Sequence, residues 1–346
     1  MTGLDLLPRT DPTSILRYRD GIYAADLLTA AIVECKLFNY LRDNPGTIDE
    51  ICEHYDWASR PADVLITLCK ANRYIHEQDD GTLIVTGLAR EHLCDDSPWN
   101  LTPYYSSLRD RPVVQDYIKV LQTGKPAHWG GLDEAEGDWH DAMLENDFAT
   151  TFTAAMDCRG VFLGKKLAEA VKEYTRSGGP LLDIGGGSGV YACALAANNP
   201  DLIAYVLEQE PVDAIAREHI EKRGLSDRVE VEVGNMFTDD WPADCEIHLF
   251  SNVMHDWDVP DIVKLLRRSR KHIADGGIVL IHETFLNAEK TGPLPVAEYS
   301  CILAHSTQGR CYSVAEIEAC LEHTGFRMLT HKETGGDRSV IVGKAV

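Results

Sequence analysis

In the stretch Pro180-Leu-Leu-Asp183-Ile-Gly185-Gly-Gly187-Ser-Gly189, a short apolar run carrying one acid breaks straight into glycines. Glycine at such a junction lets a ligand approach the backbone where any Cβ would clash. The N–H groups at the start of the following helix draw an anionic or electron-rich group. Asp183 places a carboxylate inside the motif, which suits a cationic ligand. Glu208 follows the glycines at about 20 positions, the spacing at which an acid accepts from both hydroxyls of a ribose. S-adenosylmethionine, with its sulfonium, ammonium and ribose, answers these demands together. A dinucleotide site of the NAD type, or an Asp that only caps the helix, is the other reading of the same residues.

Three further stretches place chemistry at expected strand ends. In Gly234-Asn235-Met236-Phe237, Asn235 can bond an adenine amine while Met236 and Phe237 pack on its faces, although a core Met and Phe in a turn explain the pattern equally well. Ser251-Asn-Val-Met-His255-Asp256-Trp257 ends a strand with an imidazole able to take a substrate proton or to ligate a metal, with Ser251 counted among the cofactor-binding set. Glu283, in His282-Glu-Thr-Phe, faces the same cleft. His305 lies in Leu-Ala-His-Ser on an expected helix, where a hydrogen-bonded core histidine is the plainer reading.

These positions need a scaffold that brings strand ends together. From about residue 160, apolar runs near 180–184, 202–207, 228–233, 245–251, 277–283, 326–332 and 338–343 alternate with helical patterns. That alternation predicts an α/β fold, a Rossmann-like doubly wound sheet that binds ligands at the carboxyl ends of its strands. Residues 1–105 read as a mainly helical unit. Helical periodicity runs from Tyr23 to Tyr40, Thr47 and Glu50 have capping-box spacing, a helix is expected over 60–72, and Asp80-Gly81 marks a hairpin. Helix, turn, helix and hairpin make a winged-helix-like pattern. Residues 106–160 read as a connector and substrate-pocket segment, and 161–346 as the ligand-binding domain.

Composition narrows the function. The net charge of −22 argues against DNA, RNA or an anionic membrane surface as partner. Residues 1–110 hold 10 Lys or Arg against 18 Asp or Glu, a poor phosphate-binding surface for a winged helix and an argument against a transcriptional regulator. Ten cysteines without a C-x-x-C pair read as reduced thiols of a cytoplasmic protein. No apolar run has the length of a membrane span.

Taken in order, Leu181-Leu-Asp-Ile-Gly-Gly-Gly-Ser-Gly, Gly234-Asn-Met-Phe, Met254-His-Asp-Trp and Phe152-Thr-Ala-Ala-Met156 resemble the caffeate- and acetylserotonin-type S-adenosylmethionine methyltransferases over about residues 20–346. The resemblance implies a winged-helix-like dimerisation domain and a homodimer, with Ile22, Tyr23 and Leu27 in the intertwining segment. In plant members a Gly-Lys-Glu-Arg-Thr stretch supplies a Glu that orients the catalytic His; here the stretch is Gly309-Arg-Cys311-Tyr-Ser, and the usual adenine-loop Asp is Asn235. These departures are closer to the bacterial α-keto acid C-methyltransferases, which hold an iron or other divalent metal through two His and one Asp, and His255, Asp256 and His305 match that set in type and order.

The expected reaction is therefore metal-assisted C-methylation of the β-carbon of an α-keto acid. The metal polarises the keto acid and stabilises its enolate. The acids Asp133, Glu134, Glu136 and Asp138 suit a guanidinium tail and favour 2-ketoarginine. Trp129, Phe152, Met156 and Cys311 are the candidate substrate contacts. The alternative is a metal-independent O-methyltransferase acting on a phenol, with His255 as base and Glu283 as its support.

Overall fold

The computed structural model describes residues 4, 6, 8–127, 142–176 and 179–346. The chain forms two compact units, one comprising Ile15–Asp138 with Leu286–Ser313, the other Met1–Ser14, Trp139–Phe285 and Val314–Val346.

The first unit is mainly helical. Thr47 caps the helix Ile48–Tyr55 by accepting from the Glu50 N–H (3.3 Å), and the Glu50 carboxylate accepts from the Thr47 N–H (2.7 Å), a closed capping box. The helix Ser59–Ala71 buries Val64, Leu65, Ile66 and Leu68, and Ile75–Glu77 (β1) pairs antiparallel with Leu83–Val85 (β2) across a turn in which Gly81 has φ +85°. The periodicity expected from Tyr23 to Tyr40 is not one helix. It divides into Ala24–Thr29, a π-helical turn Ala30–Glu34 closed by Cys35 N–H to Ala30 C=O (3.0 Å), and Leu37–Asp43. Lys36, left-handed at φ +50°, makes the break. The apolar stripe persists across it because Leu27, Phe38 and Leu41 still reach a common core with Leu65, Tyr117 and Leu303, so hydrophobic period alone does not reveal the interruption.

The second unit is built on a seven-stranded sheet of order β5-β4-β3-β6-β7-β9-β8. Leu181–Ile184 (β3), Ala204–Glu208 (β4), Val229–Val233 (β5), Cys245–Ser251 (β6) and Ile273–Glu283 (β7) run parallel; Phe326–Gly335 (β8) and Arg338–Ala345 (β9) form an antiparallel hairpin joined to β7 through β9. β3 is buried along its length, as an apolar strand covered by helices on both faces must be. The chain leaves β3 for β4 on one side and later returns to β6 on the other. That reversal opens a crevice beyond the carboxyl ends of β3 and β6.

Two helices seat this centre. Val190–Asn198 is apolar almost throughout and buried from Val190 to Ala196. The 25-residue helix Asn146–Ala170 packs on it through Gly160 and Gly164, where a Cβ would lie 2.3 Å from Val190 Cγ1 and 3.0 Å from Ala194 Cβ. Among the described residues, no helix is long and apolar enough to cross a membrane.

Candidate active site

Asp183 is fully buried near the end of β3. Its Oδ2 accepts from the Ala192 N–H at 3.3 Å, while Oδ1 is buried without a hydrogen-bond partner among the described residues. Burial pushes the carboxyl up to about 7; the Ala192 N–H opposes this and the Glu208 charge adds to it. A buried acceptor left unpaired costs on the order of 1–3 kcal/mol, so Asp183 has room for a donor that the described residues do not supply.

Beside it, Gly185 and Gly187 are left-handed at φ +65° and +58°. A Cβ on Gly187 would meet nothing within 4 Å, and one on Gly185 would face Val253 at 3.3 Å and Met236 Sδ at 3.6 Å. Among the described residues the loop is therefore open at Gly187 and close-packed at Gly185. Glu208, at the end of β4, accepts from the Gly187 and Gln209 N–H groups, each at 3.0 Å, and burial also pushes its carboxyl up to about 7. An unpaired buried acid, an acid tied to the glycine loop and open space over that loop fit S-adenosylmethionine. They offer its ammonium and ribose hydroxyls acceptors and leave its bulk room.

Asn235 is held within its own loop: its Oδ1 accepts from the Phe237 N–H (2.8 Å), closing an Asx turn, and its Nδ2 donates to Gln209 Oε1 (3.4 Å). The Phe237 ring meets Trp257 edge-on at 4.6 Å under the Lys264 ammonium at 4.7 Å, and the Met236 carbonyl accepts from the Trp241 indole at 3.1 Å. Ser251 shares a hydrogen bond with His282 Nδ1 (2.8 Å) and accepts from Asn252 Nδ2 (3.2 Å), which also donates to the Tyr191 hydroxyl (2.9 Å).

His255 sits in the short 3₁₀ turn Met254–Asp256 after β6 and is buried. Its Nδ1 lies 2.5 Å from Glu283 Oε2, and Asp256 Oδ1 is 3.6 Å from Nε2. The Met254 N–H donates to Glu283 Oε1 at 2.9 Å, so one carboxylate holds both the ring and its turn. Burial alone would depress the imidazole, but Glu283 and Asp256 outweigh it and leave its pKa above the ordinary value, against an opposing contribution from Arg159. With Nδ1–H committed to Glu283, Nε2 is the basic nitrogen.

His305 and Cys311 belong to the helical unit. His305 Nε2 is 3.2 Å from Asp116 Oδ2, and Tyr23 and Tyr117 meet its ring edge-on at 4.8 and 5.4 Å. Cys311 is buried, its N–H donating to Ser300 Oγ at 3.1 Å. The expected metal set of His255, Asp256 and His305 is not assembled: among the described residues no three His, Cys, Asp or Glu gather as metal ligands. Each imidazole instead faces a carboxylate, His255 that of Glu283 and His305 that of Asp116. Phe152 and Met156 lie on the helix Asn146–Ala170, with Phe152 stacked on Phe148 at 5.9 Å. Trp129 and the acids Asp133, Glu134, Glu136 and Asp138 lie outside the described residues.

Sequence reasoning passed over Asn252, Tyr191, Gln209 and Arg159. For Arg159 a signal existed, since it stands three residues after Met156 on one helix.

The O-methyltransferase domain family matches residues 133–327, more than half of the chain. Acetylserotonin O-methyltransferase of Bos taurus is 30% identical over 348 residues, which cover 94% of this chain and 96% of the bovine one. The 3-hydroxy-5-methyl-1-naphthoate 3-O-methyltransferase of Streptomyces sahachiroi is 27% identical over 91% of this chain and 89% of its own. Among solved structures, an O-methyltransferase family 2 protein from Planctomyces limnophilus, in complex with apigenin, superposes with a TM-score of 0.89 at 28% identity, over 99% of this chain and 98% of that one. Fold, open glycine loop and family match agree, and the chain is an S-adenosylmethionine-dependent methyltransferase that belongs to the O-methyltransferase family of the caffeate and acetylserotonin type.

Proposed function

We propose that this enzyme methylates the oxygen of a phenolic small molecule, with His255 as the general base. The observation that carries this reading is the His255–Glu283 pair, an Nδ1 to Oε2 distance of 2.5 Å in a buried setting. The carboxylate fixes the tautomer and steadies the imidazolium that forms when Nε2 takes the phenolic proton. Against an ordinary imidazole, a phenol of pKa about 10 is uphill by roughly 3.5 units, or about 5 kcal/mol. The upward shift of His255 reduces that difference.

Asp183, Gly185, Gly187 and Glu208 hold the cofactor in this reading, with Met236 and Phe237 beside it and Asn235 and Ser251 at the neighbouring strand ends. Bound there, S-adenosylmethionine supplies an electrophilic methyl group on a cationic sulfur. Phe152 and Met156 form an apolar wall for an aromatic ring. Burial of His255 keeps water from competing for its proton.

This replaces the metal-assisted C-methylation of 2-ketoarginine. Two things favour the phenol: the engagement of His255 with Glu283, and relatives whose names place the methyl on the oxygen of acetylserotonin and of a hydroxynaphthoate. The test is incubation with S-adenosylmethionine and a panel of phenols and α-keto acids, with and without EDTA, read by mass spectrometry. A chelator-resistant methyl on a phenol is expected. A chelator-sensitive methyl on a keto acid would overturn the proposal.

We further propose a homodimer, supported by the exposed Ile15 and Tyr18 on the helix Thr13–Asp20 and Ile22 in the turn after it, which are 72%, 88% and 54% exposed. Leu27 is instead in the unit's own core at 1% exposure. Light scattering after size exclusion tests this, and a monomeric mass would remove it.

A further inference from the structure

Trp257 stands where two loops of the site meet. Its N–H donates to the Met254 C=O at 3.2 Å, closing the short turn that carries His255. Its indole meets the Phe237 ring edge-on, with centroids 4.6 Å apart and planes at 70°. Phe237 belongs to the other loop, residues 235–239, in which Met236 Sδ lies beside Gly185 and the Asn235 N–H donates to Asp239 Oδ2 at 2.9 Å. The helix Val259–His272, capped by Asp258 directly after Trp257, braces the same loop. Its Lys264 and Arg268 are four residues apart and so share a face. The Lys264 ammonium sits 4.7 Å from the Phe237 centroid. The Arg268 guanidinium lies 5.4 Å from the Trp241 centroid and donates to the Asp239 carbonyl, while the Trp241 indole donates to the Met236 carbonyl at 3.1 Å. Phe237 is thus held between the residue that closes the turn of His255 and the helix that follows it.

We propose that Trp257 is a positioning residue: through its edge contact with Phe237 it fixes the loop beside the cofactor against the turn that bears the base. This rests on the reading of His255 as the base of phenol O-methylation and deepens it. Transfer needs the methyl carbon and the phenolic oxygen about 3–3.5 Å apart and aligned while the base reaches the proton. The loop borders the cofactor and the turn presents the base, so neither of them alone sets that geometry. A contact that joins loop to turn does. An edge-to-face aromatic pair suits the task, because it prefers a defined angle and separation where an aliphatic contact does not. Order imposed on the loop by the cofactor thereby reaches the turn.

The experiment follows backbone hydrogen exchange over residues 252–258 with and without saturating S-adenosylhomocysteine. In wild type the ligand is expected to slow exchange of the turn about threefold or more. Trp257→Leu should abolish that slowing while calorimetry shows S-adenosylhomocysteine bound within about threefold of wild type, and Trp257→Phe should restore most of it. Phe237→Leu breaks the same contact from the other side and should give the same loss, which keeps the test intact if Trp257→Leu does not fold. In turnover of a phenol, Trp257→Leu should lower kcat about tenfold with both KM values within about threefold. The double variant should lose no more kcat than the worse single one. The inference fails if exchange of the wild-type turn does not respond to S-adenosylhomocysteine, or if the slowing survives both leucine variants. It fails also if Trp257→Leu loses cofactor affinity in step with kcat, which would make Trp257 a cofactor contact alone. Exchange needs no phenol, so its outcome stands apart from the parent reading, which methylation of keto acids alone would remove.

Discussion

Glu283 serves His255 twice, with Oε2 at 2.5 Å from the ring Nδ1 and Oε1 accepting from the Met254 N–H at 2.9 Å. This carboxylate holds the ring's orientation, and together with Asp256 it sets the ring's basicity. Replacing it with an amide keeps the shape and removes the charge. Glu283→Gln is therefore expected to lower kcat by about 100-fold or more, in the range general-base catalysis contributes. Glu283 raises the imidazole pKa, so its loss should also move the acidic limb of the kcat–pH profile to lower pH. A limb that stays in place while kcat falls would show that Glu283 acts by position alone.

In the proposed reading, the carboxyls that meet the cofactor carry their own pH dependence. Asp183 and Glu208 are both pushed up to about 7 in the cofactor-free protein, chiefly by burial. Raised acid pKa values mean that the charged forms appear only as pH rises through 7. The donors of the cofactor then meet carboxylates in place of carboxylic acids. Affinity for S-adenosylmethionine should thus be greater at pH 8 than at pH 6, by up to about tenfold per unit per group. Glu208→Gln should weaken binding and flatten part of that slope, and calorimetry at the two pH values reads both effects.

The glycine seat of the helix Asn146–Ala170 makes a stability prediction. A Cβ at Gly160 would lie 2.3 Å from Val190 Cγ1. Gly160→Ala should destabilise the protein by about 1–3 kcal/mol from overpacking, despite the helix propensity alanine adds. Adding Val190→Ala removes the clashing methyl, so chemical denaturation should show the double variant recovering part of the loss.

The capping box at Thr47 and Glu50 offers a smaller test, distant in sequence from the chemistry. Both of its hydrogen bonds are present at 3.3 and 2.7 Å. Thr47→Ala should cost about 1 kcal/mol, seen as a Tm lowered by roughly 2–4 °C, with KM unaltered.

Local signals were legible wherever a residue's neighbours in sequence are also its partners in space. The capping box, the Asp80-Gly81 hairpin and the strand β3 with its glycines all depend on contacts a few residues apart. The break at Lys36 was not, because the same leucines and phenylalanine satisfy the core on either side of a π-helical turn. The metal set failed for a related reason. Two histidines and an aspartate suit a metal by type, but type does not say which side chains gather, and the partners of the two imidazoles lie distant in sequence, 28 positions away for His255 and 189 for His305.

By itself the sequence determined the fold class, the cofactor and the row of residues at the strand ends, because apolar alternation and glycine geometry are properties of the local chain. Tertiary structure decided which side chains meet. Only the pairing of β6 with β7 brings Glu283 to His255, and only the seating of Gly160 on Val190 orients the face bearing Phe152 and Met156. The strength of a base is set by what lies within a few ångströms, and long-range packing assembles those neighbours.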